Sequence, residues 1–298
     1  MVLVSLVVAS LGRSAELDRL FASLAVQTDG AFEVVLVDQN RDARLHAAVA
    51  RYRAAGLSIE HLRLQPPNLS AARNLGIRAA RGAIVAFPDD DCWFEPDTVA
   101  VARAALAANA RLDGIAGCWL EQQAAQSAPA EHTALSYARW WRFRGSGASS
   151  ITLFLRRALL ASCGGFDERL GVGQWYGAGE ETDLLLRLLA RGARILPCPQ
   201  ARVHHALAAP ELPPLAPRCR SARSRGRGTG AVYAKHGMGL WVVLRGLAGQ
   251  TLRPLLARQA AGILPGLCAS LGALEGLLRW RLREKGGDTA GAAPPVQP

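Results

Sequence analysis

Two short apolar runs near the N-terminus, separated by a segment with helical spacing, constrain the fold of this chain more than any other feature. Residues 2–9 and 33–37 are runs rich in valine and leucine, whereas the large apolar residues of 17–24 recur every three or four positions. Such runs are typical of buried strands, and such spacing is typical of an amphipathic helix. Strand, helix and strand in this order predict a parallel βαβ unit, whose ligands bind at the carboxyl ends of the strands. Asp38 follows the second run and is therefore expected at that edge.

The same alternation continues along the chain. Further strands are predicted at 62–64, 83–87, 114–120 and 151–155, and further helices at 70–82, 98–109 and 180–192. Ser70 is expected to cap the first of these helices. The turn after the first strand contains only Gly12, so the G-x-G-x-x-G fingerprint of dinucleotide-binding domains is absent there. We expect an α/β protein with a Rossmann-like, mainly parallel sheet sandwiched by helices.

The apolar run 83–87 is followed closely by three consecutive carboxylates, Asp89, Asp90 and Asp91. Three like charges in a row repel one another unless a cation lies among them. Carboxylates that have no histidine or cysteine ligands beside them favour binding of Mg²⁺ or Mn²⁺. Taken alone, the three carboxylates fit a solvated acidic turn before the next helix equally well, because Pro96 and its acidic neighbours suit a first helical turn.

Composition limits the class of protein. The chain has 298 residues, half of them hydrophobic, which allows one large α/β domain and an appendage. Its six cysteines show no C-x-x-C spacing, so a reducing cytosol is expected instead of a disulfide framework or a zinc site. The N-terminal run lacks the basic segment and cleavage site of a signal peptide. The net charge of +11 suggests a polyanionic partner, but five arginines between Arg218 and Arg227 make this a local basic patch.

Seven short motifs follow one another along the chain. They are V-V-A-S-L-G-R (7–13), V-D-Q-N (37–40), L-S-A-A-R-N-L-G (69–76), F-P-D-D-D-C-W (87–93), G-G-F-D-E (164–168), G-E-E-T-D-L (179–184) and V-H-H (203–205). The ordered set resembles the inverting nucleotide-sugar glycosyltransferases of family 2, which have the GT-A fold. The resemblance implies transfer of a sugar from a nucleoside diphosphate donor to a hydroxyl acceptor with Mg²⁺ or Mn²⁺. It also implies surface polysaccharide or glycolipid assembly, on a sugar or lipid-linked sugar acceptor.

The resemblance assigns the metal and the base. Asp91 matches the last acid of the family's D-x-D motif, and either His205 or His204 is expected beside the metal, because a shift of one residue in register exchanges the two side chains. Glu181 is expected to be the general base that activates the acceptor hydroxyl. The neighbouring acids Glu180 and Asp183 are its rivals, and capping of a helix dipole explains one acid of this group without any catalysis.

The resemblance also suggests the contacts of the two substrates. The residues expected to bind the nucleotide-sugar are Ser10, Arg13, Asp38, Arg73, Asn74, Asp89 and Asp90. Arg73 suits a diphosphate or base contact, although an arginine on a helix surface has the same pattern. Trp175 and Tyr176 are expected to stack on the acceptor sugar, and as loop aromatics they equally suit a core. The loops 121–150 and 171–179 are expected to decide sugar identity.

The sequence changes character after residue 216, where an arginine cluster precedes leucine-rich segments. The longest uncharged stretch, 259–274, is shorter than the roughly 20 apolar residues of a spanning helix. Basic amphipathic helices lie on anionic membrane surfaces, so a peripheral position on the cytoplasmic face is expected; a helical cap or a dimer interface has the same pattern. The expected organisation is a catalytic domain at 1–216, a basic amphipathic helical extension at 217–284 and a disordered tail at 285–298.

Two other classes of protein fit parts of the pattern. A nucleic-acid-binding protein could use the arginine patch, but it would leave the acidic motifs without a role. A metal-dependent phosphatase with an aspartyl nucleophile also carries D-x-D, although there the motif follows the first strand, whereas here it follows several. The expected partner is therefore a nucleotide-sugar, and no nucleic acid.

Overall fold

The computed structural model describes residues 3–121, 133–144, 148–205 and 212–284. The strands are β1 (Val4–Ser10), β2 (Phe32–Asp38), β3 (Ile59–Arg63), β4 (Ile84–Ala86), β5 (Cys92–Phe94), β6 (Gly114–Trp119), β7 (Leu153–Arg156) and β8 (Ile195–His205). The helices are α1 (Ala15–Ala25), α2 (His46–Ala54), α3 (Leu69–Ala79), α4 (Thr98–Ala108), α5 (Tyr137–Trp141), α6 (Arg157–Ser162), α7 (Glu180–Ala190), α8 (Leu215–Lys235), α9 (Leu240–Leu256) and α10 (Ala260–Arg279).

Contacts divide the chain into two compact units. The first comprises Met1–Leu135, Ser146–Gly165 and Arg191–Ala209, and the second comprises Ser136–Gly145, Phe166–Ala190 and Pro210–Pro298. Two segments from inside the expected catalytic domain thus belong to the same unit as the C-terminal helices. The expected tail 285–298 lies outside the described residues.

The first unit contains a mixed sheet with helices packed against it. Its described strands follow the order β3-β2-β1-β4-β7-β6-β8-β5. Strand β1 pairs in parallel with β2 and with β4, whereas β7 runs antiparallel to β4 and β6. The parallel βαβ unit and the α/β class predicted from the sequence are confirmed. Register pairs Ser10 with Asp38, so both strand-end residues lie at one edge of the sheet.

Helix α1 shows why the sequence periodicity was informative. Leu17, Leu20, Phe21 and Leu24 are all buried, and they belong to the same core cluster as the large residues of β1 and β2. Helix α3 begins differently from the prediction. Asn68 is the capping residue, since its Oδ1 accepts a hydrogen bond of 3.0 Å from the amide of Ala71. An asparagine with extended backbone satisfies an amide that a helix leaves unpaired at its start.

The second unit is built on the pairing of α8 with α10. Gly226 and Gly230 of α8 lie against the carbonyl oxygens of Ala269 and Ala273, so closely that an added Cβ would overlap them. Glycine is needed at both positions because only a backbone without side chains allows this approach. Glu275 of α10 accepts hydrogen bonds from two arginines of α8, Arg223 and Arg227.

The helical run Ala260–Arg283 is long and apolar enough to be a candidate membrane span by length and composition, a test that the core helix of a soluble protein also passes. The shorter stretch considered in the sequence ended before Glu275, whereas the helix continues through it. The segment 121–150 also differs from the expected loop where it is described. It contains α5, whose Trp140 is buried.

Candidate functional site

The residues that end β1 and follow β4 meet at one edge of the sheet in the first unit. The Oγ of Ser10 donates to Oδ2 of Asp90 at 2.7 Å. The Nη1 of Arg13 lies 2.7 Å from Oδ1 of Asp90 and 2.7 Å from Oδ2 of Asp91. The fold therefore brings four of the predicted site residues into one hydrogen-bonded cluster. A parallel sheet places ligands at this edge.

The two acids of this cluster have opposite electrostatic tendencies. Burial raises the pKa of Asp90 above its ordinary value, although hydrogen bonds from Arg13 and Ser10 oppose the shift. Burial acts in the same direction on Asp91, but the hydrogen bond with His205 and the charges of His205 and Arg13 outweigh it, so the pKa of Asp91 lies below its ordinary value. Asp91 is thus the acid held in its charged form, as a metal ligand must be.

Strand pairing delivers His205 to this acid from a distant part of the sequence. Strand β5 pairs antiparallel with β8, and the register aligns Cys92 with His205. The Nε2 of His205 lies 3.1 Å from Oδ1 of Asp91. The indole nitrogen of Trp119 donates to the carbonyl oxygen of His205 at 3.0 Å. An imidazole and a carboxylate therefore face each other at the end of the sheet.

His204 has a different environment. Its two ring nitrogens lie 2.7 Å from Oε1 of Glu121 and 2.7 Å from Oε1 of Glu95. Its ring stacks on Trp93 with centroids 4.9 Å apart. Burial lowers the pKa of His204, but the two glutamates more than compensate, and the net shift is upward. The geometry therefore makes His204 a bracing residue and leaves His205 beside the acid triplet.

The donor set tests whether a divalent ion fits here. A carboxylate oxygen of Asp91, the sulfur of Cys92 and a ring nitrogen of His205 all lie within 4.8 Å of one another. Burial and the neighbouring acids raise the pKa of the Cys92 thiol, so it stays protonated and is a poor ligand. The remaining donors are a carboxylate and an imidazole, which suit Mn²⁺ well and Mg²⁺ through the carboxylate. The residues present fit the expected metal.

Asp38 is held rigidly at the neighbouring strand end. Its Oδ1 accepts hydrogen bonds of 2.8 Å from both the backbone amide and the side-chain amide of Asn40, and its Oδ2 lies 3.1 Å from Nε2 of His61. Asn40 in turn accepts a hydrogen bond of 2.7 Å from the amide of Gly12. Asp38 is fully buried. The V-D-Q-N motif contained Asn40, but no sequence signal pointed to His61.

Arg73 and Asn74 of α3 are both buried, so Arg73 is not the surface arginine that its pattern also allowed. The Nη2 of Arg73 lies 3.0 Å from Oδ1 of Asp89 and donates to Oγ of Ser150 at 3.2 Å. Asn74 packs under Gly165, where an added Cβ would overlap its Oδ1 and where φ is +72°. The G-G-F-D-E motif therefore needs this glycine for both space and backbone conformation.

The acidic helix α7 belongs to the second unit. Glu180 and Glu181 are half-buried in its first turn, where the helix dipole favours a negative charge. Asp183 is fully buried, and three nitrogen-bearing side chains surround its carboxylate: Arg187 at 2.8 Å, Lys235 at 2.9 Å and the imidazole of His236 at 2.9 Å. Burial raises its pKa, but these partners outweigh burial and the net shift is downward. Asp183 thus anchors α7 to the end of α8.

Lys235 links this anchor to the G-G-F-D-E motif. Its Nζ lies 2.6 Å from Oδ2 of Asp167, which also pairs with Arg169 at 2.7 Å. Burial opposes ionisation of Asp167, but the hydrogen bonds from Arg169 and Lys235 prevail and lower its pKa to about 2. The sequence did not reveal Lys235 or His236 as partners, because they lie some fifty residues after Asp183 and carry no motif.

This low pKa predicts an acid-dependent loss of stability. The ordinary pKa of Asp167 is 3.8, so its charged form stabilises the folded state above about pH 4, and that contribution is lost as the pH falls towards 2. We expect Asp167→Asn to lower the free energy of unfolding by about 2 kcal/mol at pH 6 and to flatten the decrease between pH 4 and pH 2. Urea unfolding across this range tests it, with Asp97→Asn, an exposed acid 3.5 Å from Arg202, as the control. An unchanged slope would contradict the assignment.

The two predicted acceptor aromatics also lie in the second unit. Tyr176 is buried, and its ring packs edge-on against Trp280 with centroids 5.4 Å apart. Trp175 is half-buried, and the guanidinium carbons of Arg227 and Arg279 lie 4.4 Å and 4.2 Å from its ring centroid. These are cation–π contacts, and they leave Trp175 partly exposed. Tyr176, in contrast, is packed in the core of the second unit.

Comparisons with known proteins agree with this description. Residues 5–150 match the profile "Glycosyl transferase family 2". A "Putative glycosyltransferase EpsH" of Bacillus subtilis (strain 168) is 36% identical over 95 residues, which are 32% of this chain and 27% of that protein. The match thus spans about a quarter of the relative's length.

Two solved structures have the same fold. One is a mannosyltransferase, PcManGT from Pyrobaculum calidifontis in complex with GDP-Man and Mn²⁺, with a TM-score of 0.63 at 18% identity. The aligned region covers 92% of this chain and 86% of the mannosyltransferase chain. Residues 1–349 of S. aureus TarS in complex with UDP-GlcNAc have a TM-score of 0.58 at 16% identity, and the coverage is 92% and 91%. The class of protein is therefore an α/β protein with the GT-A fold. Residues 5–150, which contain four of the seven ordered motifs, match glycosyl transferase family 2, as the resemblance predicted.

Proposed function

We propose that this chain is an inverting glycosyltransferase that moves a sugar from a nucleoside diphosphate donor to a hydroxyl acceptor. The observation that carries the proposal is the position of Asp91, 3.1 Å from His205 and 2.7 Å from Arg13, at the edge where β1, β2 and β4 end. A charged carboxylate, an imidazole and a guanidinium at a ligand-binding edge suit a diphosphate with a divalent ion.

The donor would lie along this edge. Asp38, held by Asn40 and His61, suits the ribose or the nucleobase, because an ionised carboxylate can accept further hydrogen bonds beyond those it already has. Asp89, oriented by Arg73, is a second candidate contact for the nucleotide. Ser10, Asn74 and Asp90 are further proposed contacts of the donor, and Ser10 and Asp90 are hydrogen-bonded to each other at the same edge.

Asp91 and His205 would hold the metal, Mn²⁺ or Mg²⁺. The ion, when bound, stabilises the negative charge that develops on the departing nucleoside diphosphate. Arg13 adds a fixed positive charge beside the same acid. His204 is not needed in this role, because both of its ring nitrogens already have glutamate partners.

Glu181 is the proposed general base, with Glu180 as its rival. The base takes the proton of the acceptor hydroxyl while the acceptor oxygen bonds to the anomeric carbon and the bond to the diphosphate breaks. Attack opposite the leaving group inverts the anomeric configuration. Asp183 suits this role poorly, because its carboxylate is already engaged by Arg187, Lys235 and His236.

The proposed acceptor is a sugar or lipid-linked sugar of a surface polysaccharide or glycolipid. The proposed location of the protein is peripheral, on the cytoplasmic face of the membrane. Exposed leucines on α9 and α10, together with the exposed Arg253 of α9, support this location. Trp175 keeps partial exposure and remains the aromatic candidate for the acceptor. A phosphatase is disfavoured, because the acidic triplet follows β4 and not the first strand.

A donor panel tests the proposed function. The full-length protein is incubated with UDP-, GDP- and dTDP-sugars and Mn²⁺, and release of the nucleoside diphosphate is measured. We expect one nucleotide class to be consumed, with at least a tenfold loss of rate in EDTA and recovery when Mn²⁺ or Mg²⁺ is restored. Absence of turnover with every donor would contradict the proposed function. Full activity in EDTA would contradict its metal dependence.

A further inference from the structure

The positive charge of this protein is concentrated in the second unit. Residues 212–284 contain eleven arginines, Lys235 and two acids, Glu275 and Glu284, and so carry a net charge of +10 out of the formal +11 of the whole chain. Glu275 is committed to Arg223 and Arg227, which face α10. The remaining arginines of α8 have no carboxylate partner among the described residues. This excess of positive charge indicates an anionic partner outside the chain.

Two of these arginines line a groove formed by α8, α9 and α10. Its volume is about 590 Å³, which is within the range of about 300–1,000 Å³ that is usual for ligand pockets. Arg218 and Arg225 are seven residues apart on α8 and therefore lie on one face of that helix. The groove is also lined by Ser221, Thr229, Gln250, Pro213, Pro265 and Ala269.

The lining has the chemistry of a phosphate site. Arg218 already donates to the carbonyl oxygen of Ala261 at 2.6 Å, which fixes part of its guanidinium. Arg225 is exposed and forms no ion pair within the described ranges. Ser221, Thr229 and Gln250 add hydroxyl and amide donors, and no lining residue is acidic. Guanidinium groups with neighbouring hydroxyls are well suited to phosphate oxygens.

The same helices expose an unusual amount of apolar surface. Along α10 a stripe of leucines recurs every three or four residues and is between 44% and 56% exposed: Leu264, Leu267, Leu271, Leu274 and Leu278. On α9, Leu240 and Trp241 are more than 70% exposed. Exposure of this much apolar surface to water is unfavourable, whereas its insertion at the boundary between lipid headgroups and acyl chains is favourable. A nucleic acid would neutralise the arginines and leave these leucines unexplained.

We propose that the groove binds the phosphate headgroup of an anionic membrane lipid, with preference for a phosphomonoester. A phosphomonoester carries more negative charge than a phosphodiester and presents more free oxygens to two guanidinium groups. The membrane location is part of the proposed function, on which this site rests. The donor chemistry is not involved, because no groove residue belongs to the acidic cluster of the first unit.

Vesicle flotation tests the site with two matched double variants. Arg218→Gln/Arg225→Gln removes the groove charges, and Arg220→Gln/Arg253→Gln removes the same charge from exposed positions outside the groove. Vesicles contain phosphatidylcholine with either phosphatidic acid, a monoester, or phosphatidylglycerol, a diester, at equal mole fraction. Affinity for the monoester is expected to fall at least tenfold in the groove variant and no more than about threefold in the control. Circular dichroism melting confirms that both variants fold.

Equal weakening of the two variants on both lipids would overturn the proposal, because it would show unspecific attraction only. Groove-dependent binding of a DNA duplex with no binding to either vesicle would also overturn it and would indicate a nucleic-acid site. Donor consumption is measured for the same variants and is expected to be unchanged. Monoester binding as described, together with no turnover of any donor by the wild type, would support the site and overturn only the transferase proposal.

Discussion

Asp91→Asn is expected to lower kcat/KM for the nucleotide-sugar by roughly a thousandfold, because a metal that stabilises the leaving group supplies several kcal/mol. Asparagine keeps the size of the side chain but removes the charge that faces His205 and Arg13. The measurement is steady-state release of nucleoside diphosphate with saturating Mn²⁺. Thermal melting of the variant is recorded beside it, so that a folding defect is recognised.

The matched control for this prediction is Asp42→Asn. Asp42 is also an ion-paired aspartate of the first unit, but it is exposed and its partner is Arg44. Its substitution is expected to change kcat/KM less than twofold, since exposed pairs contribute little. Wild-type activity in Asp91→Asn would remove the metal assignment, and equal losses in the two variants would show that the charge of Asp91 has no special role.

The second large effect is expected in stability. Asp183→Ala removes a fully buried carboxylate from between three partly buried partners, Arg187, Lys235 and His236, and loss of one partner from a buried ionic cluster costs about 3–5 kcal/mol. Urea unfolding of the full chain at pH 7 measures the change in the free energy of unfolding. Turnover is expected to fall with it, because α7 also carries Glu180 and Glu181.

Glu275→Ala is the control for this experiment. Glu275 also has two cationic partners in the second unit, Arg223 and Arg227, but its side chain is 23% exposed, whereas that of Asp183 is fully buried. We expect a loss of no more than about 1 kcal/mol there. If Asp183→Ala and Glu275→Ala destabilise the protein equally, the buried cluster does not anchor α7 as described.

Local periodicity was sufficient to predict the early elements of the fold. The βαβ unit at the N-terminus follows from continuous apolar runs and from a helix whose buried face recurs every three or four residues, and each signal lies within a few positions. The capping residue of α3 shows the limit of such signals. Ser70 and Asn68 both suit a cap, and only the backbone conformation selects Asn68.

The site was predictable in its composition but not in its pairings. His204 and His205 differ by one register step on β8, and the pairing of β8 with β5, more than one hundred residues apart in the chain, decides which of them faces Asp91. The partners of Asp183 are likewise distant and belong to no motif. Arg73 was ambiguous because a helical pattern does not show which polar residue turns inward.

The domain boundary expected at residue 216 stays a prediction, because composition does not show which internal segments contact the C-terminal helices. The change after residue 216 is real in the sequence, yet 136–145 and 166–190 belong to the same unit as the C-terminal helices. The buried pairing of Asp167 and Asp183 with Lys235 is the physical reason, since it ties two internal motifs to the end of α8. Charge pairing of this kind leaves no compositional boundary.

The most direct test of the central claim is calorimetric titration of UDP and GDP into wild-type protein and into Asp91→Asn, each with Mn²⁺ and with EDTA. The account predicts that one of the two nucleotides binds the wild type at least ten times more tightly with Mn²⁺, a difference of about 1.4 kcal/mol or more, and that Asp91→Asn loses this difference. Retention of the full Mn²⁺ effect by Asp91→Asn, or no binding of either nucleotide in any condition, would contradict it.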